Sequence, residues 1–390
     1  MVAEMIQKSS ARKYGLPTVL TGVALTAWVA FVGCGRHGDI RPDMRGAYNS
    51  VYDLYSYVWA PGKFEDPANR QKIQALLNDL NQRFHSIETI TPNRRQEPGF
   101  AITLQTQRRI IDDARTRFQA GATDYTRWRL KGIVSNCVSC HTRFQIPVDF
   151  IGARPSMPEE GLEEQLAYGD FLLATRQFSE ASTYYFKLAE QFAQLEETRY
   201  AVLRALKYWL LVEVRVKGRP ASAREQLAIL TAGQPLNPGD RATIETWMEE
   251  LQSLAVAVPS TPLEHAQTLL GDVLTYRTES ENVSELPKTL TATAELHKLL
   301  DNPQTASTQR REALLLLATA YVRLPIRSLE VFRELYLESC IREFPGTSEA
   351  RQAFFLYKQV VEETHTGTSG LHLEDDEKSH LDELRKLATA

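Results

Sequence analysis

An all-α chain is predicted by three features of this sequence. Apolar residues recur at helical spacing along most of its length, no run of alternating β-branched residues reads as a strand, and Pro-Gly or Ala-Gly steps stand between the periodic stretches. The 390 residues suffice for two or three domains with real cores. An apolar content of 43% and a charged content of 24% are those of a soluble globular protein. The predicted architecture is an antiparallel four-helix bundle over 39–150 and an α-solenoid of helical hairpins over 160–363, then a linker with a charged C-terminal helix over 364–390. The net charge of −4 is uneven. Residues 39–150 carry 16 Lys and Arg against 12 Asp and Glu, a balance of +4, while acid collects late, as in Glu374-Asp375-Asp376-Glu377. Neither region has the charge density that nucleic acid demands. The basic face could steer an acidic partner, and a solvated surface is the plainer reading.

Residues 1–34 read as an export signal. Lys8, Arg12 and Lys13 form a positive segment ahead of an apolar stretch, Leu16 to Gly33. The stretch ends in Phe31-Val32-Gly33-Cys34, which resembles the lipobox of bacterial lipoproteins, with Phe31 and Val32 in place of the commoner residues. That resemblance implies a lipid on Cys34 as first mature residue. Gly35, not Asp, follows it, which would permit transfer to the outer membrane. An uncleaved anchor is the alternative, but an apolar run of 18 residues is at the short limit for a span, and Pro17 and three Thr interrupt it. Either way, everything after residue 35 is expected in the periplasm, tethered to a membrane.

Four helices are expected next. The first runs from about Pro42 to Trp59 and stops at Pro61-Gly62. The second begins after Asp66-Pro67 and reaches about Glu88, before a polar loop from Thr89 to Gly99. The third covers Phe100 to Gln119. The fourth opens at Thr123 or Asp124, both suited to an N-cap, and passes His141, with Ile146-Pro147-Val148 ending the bundle. Short connections between such helices make neighbours antiparallel. Tyr48, Tyr52 and Tyr55 fall on one stripe of the first helix, expected to pack on a group held by the bundle or on partner helices.

The fourth helix carries Cys137-Val138-Ser139-Cys140-His141. This is the C-x-x-C-H pattern of c-type haem attachment. Positions i, i+3 and i+4 share a helix face, so two thiols can add to the two vinyl groups while the imidazole meets the iron. One covalently bound haem c is therefore expected, with Cys137 and Cys140 as thioethers and His141 as iron ligand. A thioredoxin-like pair would need a βαβ setting, and a zinc site would need a second ligand pair at suitable spacing. Periplasmic export agrees with covalent haem. With two Cys on haem and Cys34 on lipid, Cys340 remains, a buried small hydrophobe with no disulfide partner.

A four-helix bundle with this motif near the end of its last helix resembles the cytochrome c-prime family and its low-spin relatives, over about residues 40–147. Gly62-Lys63-Phe64-Glu65-Asp66 is similar to the family's turn after the first helix, Gly121 precedes the haem helix, and Phe144 stands at the aromatic position after the histidine. Gln145 departs from the usual Arg or Lys. The resemblance implies His141 as proximal ligand. It also offers Met44 as the distal ligand, as in the six-coordinate members, from a position 20 residues before Phe64. In five-coordinate members an apolar side chain covers that face, and Met44 would then be core filler. His85 is the runner-up ligand and His37 a weak one. Arg41 or Arg45 could pair with a haem propionate or form surface ion pairs.

From about Pro158 the composition changes. Leu166 to Leu173, Gln177 to Ala181 and Tyr185 to Ala189 together resemble one tetratricopeptide repeat. Tyr200 to Val216 with Ala221 to Leu230 form a second helical pair, and Ala313 to Tyr321 with Leu329 to Phe344 a third. Ile244 to Val256 and Leu263 to Val273 are amphipathic between them. Thr364 to Gly370 reads as a flexible linker, and Asp375 to Leu387 as a charged helix or frayed tail. The shift near Pro158 predicts a docking module separable from haem binding.

No nucleophile–base constellation, phosphate loop or second metal site is present, so no enzyme is expected. Three functions fit. One is a membrane-tethered electron-transfer cytochrome whose repeats dock a protein partner. Another is a five-coordinate haem sensor for NO or CO. The third is an assembly scaffold with structural haem.

Overall fold

The computed structural model describes residues 39–91, 98–143, 150–156, 161–256, 261–271, 279–367 and 370–390. Cys34, His37, Phe144, Gln145 and Ile146-Pro147-Val148 lie outside them. Helix α1, Arg41–Val58, has Pro42 in its first turn. After α2, Pro61–Glu65, the Asp66 carboxylate accepts the Ala68 N–H at 2.9 Å and caps a short 3-10 turn that leads into α3, Arg70–Ile90. Helices α4, Pro98–Gln119, and α5, Thr123–His141, follow. Neither Thr123 nor Asp124 caps α5. Gly121, at φ +87°, reverses the chain within two residues, so Ala122 takes the N-cap and Asp124 sits in the first turn, where its charge favours the helix dipole.

Helix α3 buries Ile73, Leu77, Leu80, Phe84 and Ile87, a stripe at helical spacing. It packs between α1 and α4, α4 packs on α5, and α5 touches α1. Leu54, Phe64, Ile111, Phe118, Leu130 and Ile133 complete their common core. The α1–α3 seam is polar at its edge: Ser50 donates to Asp79 at 2.6 Å and Ser86 to Asp43 at 2.8 Å. Gly46 makes room there, since a Cβ would lie 2.0 Å from the Arg83 guanidinium.

The remaining helices pack largely as consecutive neighbours. They are α6, Leu162–Ala174; α7, Phe178–Gln194; and α8, Val202–Leu210, which widens into a π-turn over Leu211–Val216. Next come α9, Pro220–Gly233; α10, Pro238–Val256; α11, Pro262–Leu270; α12, Glu279–Ser284; and α13, Leu286–Asp301. The chain closes with α14, Ser307–Arg323; α15, Phe332–Glu343; α16, Ser348–His365; and α17, Asp375–Thr389. Sequence periodicity did not single out α13 or α16. In place of a plain linker, Thr366–Gly367 and Gly370–Leu371 pair as a two-residue antiparallel ribbon. Helix α17 is docked rather than frayed: Leu384 and Ala388 are fully buried, and Gly346 donates to the Leu387 carbonyl at 3.0 Å.

Residues from both expected regions belong to one compact unit. Tyr48, Tyr52 and Tyr55 pack on Phe171 of α6, with ring centroids 6.4, 6.4 and 5.3 Å away. Helix α4 touches α15, and α5 touches both α6 and the turn Arg327–Leu329. Helix α5 thus changes surroundings along its length. Leu130 and Ile133 lie in the core shared with α1, α3 and α4, while Val138, one turn on, lies in the core of the later helices.

Candidate functional site around the end of α5

Cys137, Cys140 and His141 occupy the last two turns of α5, each half-buried. Cys137 packs against both cores, and the Gln107 amide approaches its Sγ at 3.7 Å. Burial, then the neighbouring Cys140, pushes the Cys137 thiol up to about 12. A low-pKa redox thiolate requires the opposite environment.

The setting of His141 follows from how α6 ends. Arg176 takes the left-handed conformation, φ 61°, usually reserved for Gly. Its N–H donates to the Leu173 carbonyl at 3.0 Å and that of Gln177 to Leu172 at 2.8 Å, a Schellman arrangement. The Ala174 carbonyl is thereby left over, and His141 Nδ1 lies 2.7 Å from it. A carbonyl can only accept, so Nδ1 carries the proton and Nε2 keeps its lone pair. Nε2 has no hydrogen-bond partner among the described residues. Burial lowers the imidazole pKa to about 4, keeping it neutral. This is the tautomer and charge state of a metal-ligating histidine, with a backbone carbonyl orienting the ring. The donor set therefore fits covalent haem: two thiols and one imidazole on adjacent turns.

The next residues run into the later helices. Ser139 Oγ donates to the Ser328 carbonyl. Arg143, 4% exposed, donates from Nε to His297 Nδ1 at 3.0 Å and from a terminal nitrogen to Asp301 at 2.7 Å. Arg215, fully buried in the π-turn, donates twice to the Arg143 carbonyl, at 3.1 and 2.8 Å, and once to Tyr321 Oη at 2.5 Å. Cations suit that place, because helix C-termini carry partial negative charge. With Nδ1 accepting, His297 bears its proton on Nε2 and donates to Tyr321 Oη, 2.7 Å away. Burial, then Arg143 and Arg215, hold the His297 pKa well below its ordinary value. None of these partners was legible in the sequence. They converge from the end of α5 and the residues just after it, the π-turn, α13, α14 and the turn Arg327–Leu329, and share no motif.

Met44 is half-buried on α1, packing on the same core that Cys137 touches. Lys131 of α5 stands 4.0 Å over the ring of Trp59, the residue that follows α1. His85 is exposed on α3. Arg41 is exposed and pairs with Asp39 at 2.8 Å, and Arg45 is exposed. Cys340 is fully buried in α15. No group of three or more His, Cys, Asp or Glu that could hold a metal occurs among the described residues. Among them, too, no helix is long and apolar enough to cross a membrane. In comparisons with known proteins, no family model matches the chain, and no curated protein and no solved structure matches it.

Proposed function

We propose that this chain is a c-type cytochrome of the periplasm, tethered through lipid on Cys34, that carries one haem on Cys137 and Cys140 and moves single electrons. The observation that carries this reading is the hydrogen bond from His141 Nδ1 to the Ala174 carbonyl. It commits one ring nitrogen to the protein and leaves the other as a neutral donor, beside two thiols at attachment spacing. Haem, when bound, supplies reversible one-electron exchange at iron. The chain's own part is to hold the imidazole plane, through Ala174, and to keep water from the attachment turn, through Val138 and the cores on either side. Helices α1, α3, α4 and α5 take the role of the cytochrome c-prime-type bundle, with Met44 as distal ligand. The later helices, a tetratricopeptide-like array, dock a protein partner and also clamp the attachment helix.

The test is the mass and spectrum of mature full-length protein. One haem added through Cys137 and Cys140, resistant to acidified organic solvent, is the expected result, with a low-spin spectrum that Met44→Ala converts to high-spin. Haem that extracts freely overturns covalent attachment. A wild-type spectrum that is already high-spin and binds CO readily transfers the reading to a gas sensor.

A further inference from the structure

We propose that His365 is a protonation clasp: while its imidazole carries both protons it holds the first half of α17 on α15 and α16, and it lets that half go as pH rises through neutrality. His365 is the last residue of α16, and both its ring nitrogens face acceptors. Nδ1 lies 2.9 Å from the Val361 carbonyl, and Nε2 lies 2.7 Å from the Glu377 carboxylate in the first turn of α17. A carbonyl and a carboxylate can only accept. The two contacts therefore need a hydrogen on each nitrogen, and only the imidazolium has both. The neutral ring has to turn a lone pair toward one of the two oxygens.

The same Glu377 carboxylate accepts the Glu374 N–H at 2.9 Å, in the capping box that starts α17. His365 thus grips the very turn from which the helix begins. Apolar packing does not hold that turn, because Leu384 is the first fully buried residue of α17. Ahead of Leu384 the seam is charged. Arg342 of α15 donates to Glu338 at 2.6 Å and to Glu383 at 2.7 Å. His380, edge-on to Tyr357, lies 3.6 Å from Glu338 and 3.7 Å from Glu383. Glu334 of α15 feels both His365 and Glu377, so loss of the imidazolium leaves two carboxylates repelling each other. The Val361 carbonyl above all, then Glu377 and Glu334, raise the His365 pKa from its ordinary 6.5, and burial opposes them only in part. A group whose pKa is raised by docking favours docking fully below about pH 6.5, and that contribution is lost as pH rises through the docked value. The side chains of His365 and Glu377 are 30% and 33% exposed, so water screens the pair and the effect is a several-fold shift, not complete release.

Hydrogen exchange on full-length protein tests the clasp, read as the opening equilibrium of α17 amides after division by the intrinsic rate at each pH. Between pH 6 and pH 8 opening of the first half of α17 should grow about three- to fivefold, while amides of α3 stay unchanged. His365→Gln should abolish most of that growth. Glu377→Gln keeps the capping box and offers an amide N–H to the neutral ring, so it should flatten the dependence too. His365→Arg, which donates at every pH, should keep α17 as closed at pH 8 as at pH 6. Opening that does not change between pH 6 and pH 8 in the wild type, or a wild-type dependence retained in His365→Gln, overturns the clasp.

Discussion

Helix α5 divides between two kinds of surroundings, and the contrast explains how the molecule is assembled. Its middle, Leu130 to Ile133, packs in an apolar core with α1, α3 and α4. Its end, Ser139 to Arg143, is held by named polar bonds to Ala174, Ser328, His297, Asp301 and Arg215. Apolar packing is non-directional and tolerates volume-conserving exchange. A buried polar network permits one arrangement, because each misplaced group loses its partner. The middle of α5 therefore supplies stability, and its end supplies register between the two halves of the chain.

The largest effect is expected where that register is set. Arg143→Met removes a cation whose partner Asp301 keeps some contact with water, so about 2–4 kcal/mol of stability should be lost in denaturant unfolding. Ile133→Ala in the apolar core should cost a similar amount, about 2–4 kcal/mol. The two differ in coupling. Arg143→Met and Asp301→Asn should be strongly non-additive in a double-mutant cycle, whereas Ile133→Ala should add independently to either. Additivity throughout would erase the distinction between the regions. By the same logic, residues 39–156 alone should lose cooperative unfolding, since truncation bares Val138 and the Tyr48–Tyr52–Tyr55 stripe.

A smaller effect tests packing within the later helices. A Cβ at Gly169 would lie 2.5 Å from the Tyr185 ring, which is fully buried and bonded to Asp170 at 2.6 Å. Gly169→Ala should therefore destabilise by about 1–3 kcal/mol, read as a lowered melting temperature. Retention of wild-type stability would mean that α6 and α7 are less closely packed than described.

Acid should loosen the junction at the end of α5 before the apolar core that α5 shares with α1, α3 and α4. The pKa of His297, ordinarily 6.5, is held well below that value in the folded chain. Below about pH 6.5 the unfolded chain therefore takes a proton that the folded chain refuses. Stability is full above that pH and falls as pH drops, by up to about 1.4 kcal/mol per unit for this group. Among the described residues His297 faces Arg143, Tyr321, Phe332 and Tyr336, with the Arg215 charge close enough to act on it. His297→Gln should flatten that part of the stability–pH curve, and an unchanged slope would remove His297 from the account. The least effect is expected at Trp128, 60% exposed on α5. Trp128→Ala should change stability by less than about 0.5 kcal/mol.

Much of this was legible from residues alone, for identifiable reasons. Helical spacing in α3 and Gly121 before α5 are local signals that packing had no cause to override. Helices α13 and α16 escaped notice. Thr-rich α13 has mediocre intrinsic propensity and gains its order by burial of Leu290, Leu296 and Leu300. The tyrosine stripe was visible, but its partner was not, because Phe171 is more than a hundred positions away.

By itself the sequence determined the helical class, the position of many helices and the C-x-x-C-H spacing of Cys137, Cys140 and His141, since periodicity and motif spacing act within a few residues. Only the tertiary structure decided that the Ala174 carbonyl accepts the hydrogen bond from His141 Nδ1, that α17 is docked, and that Arg143, Arg215, His297 and Tyr321 meet. Those contacts join residues 24 to 154 positions apart, and which distant polar groups share a buried space is fixed by how whole helices pack, not by any pattern along the chain.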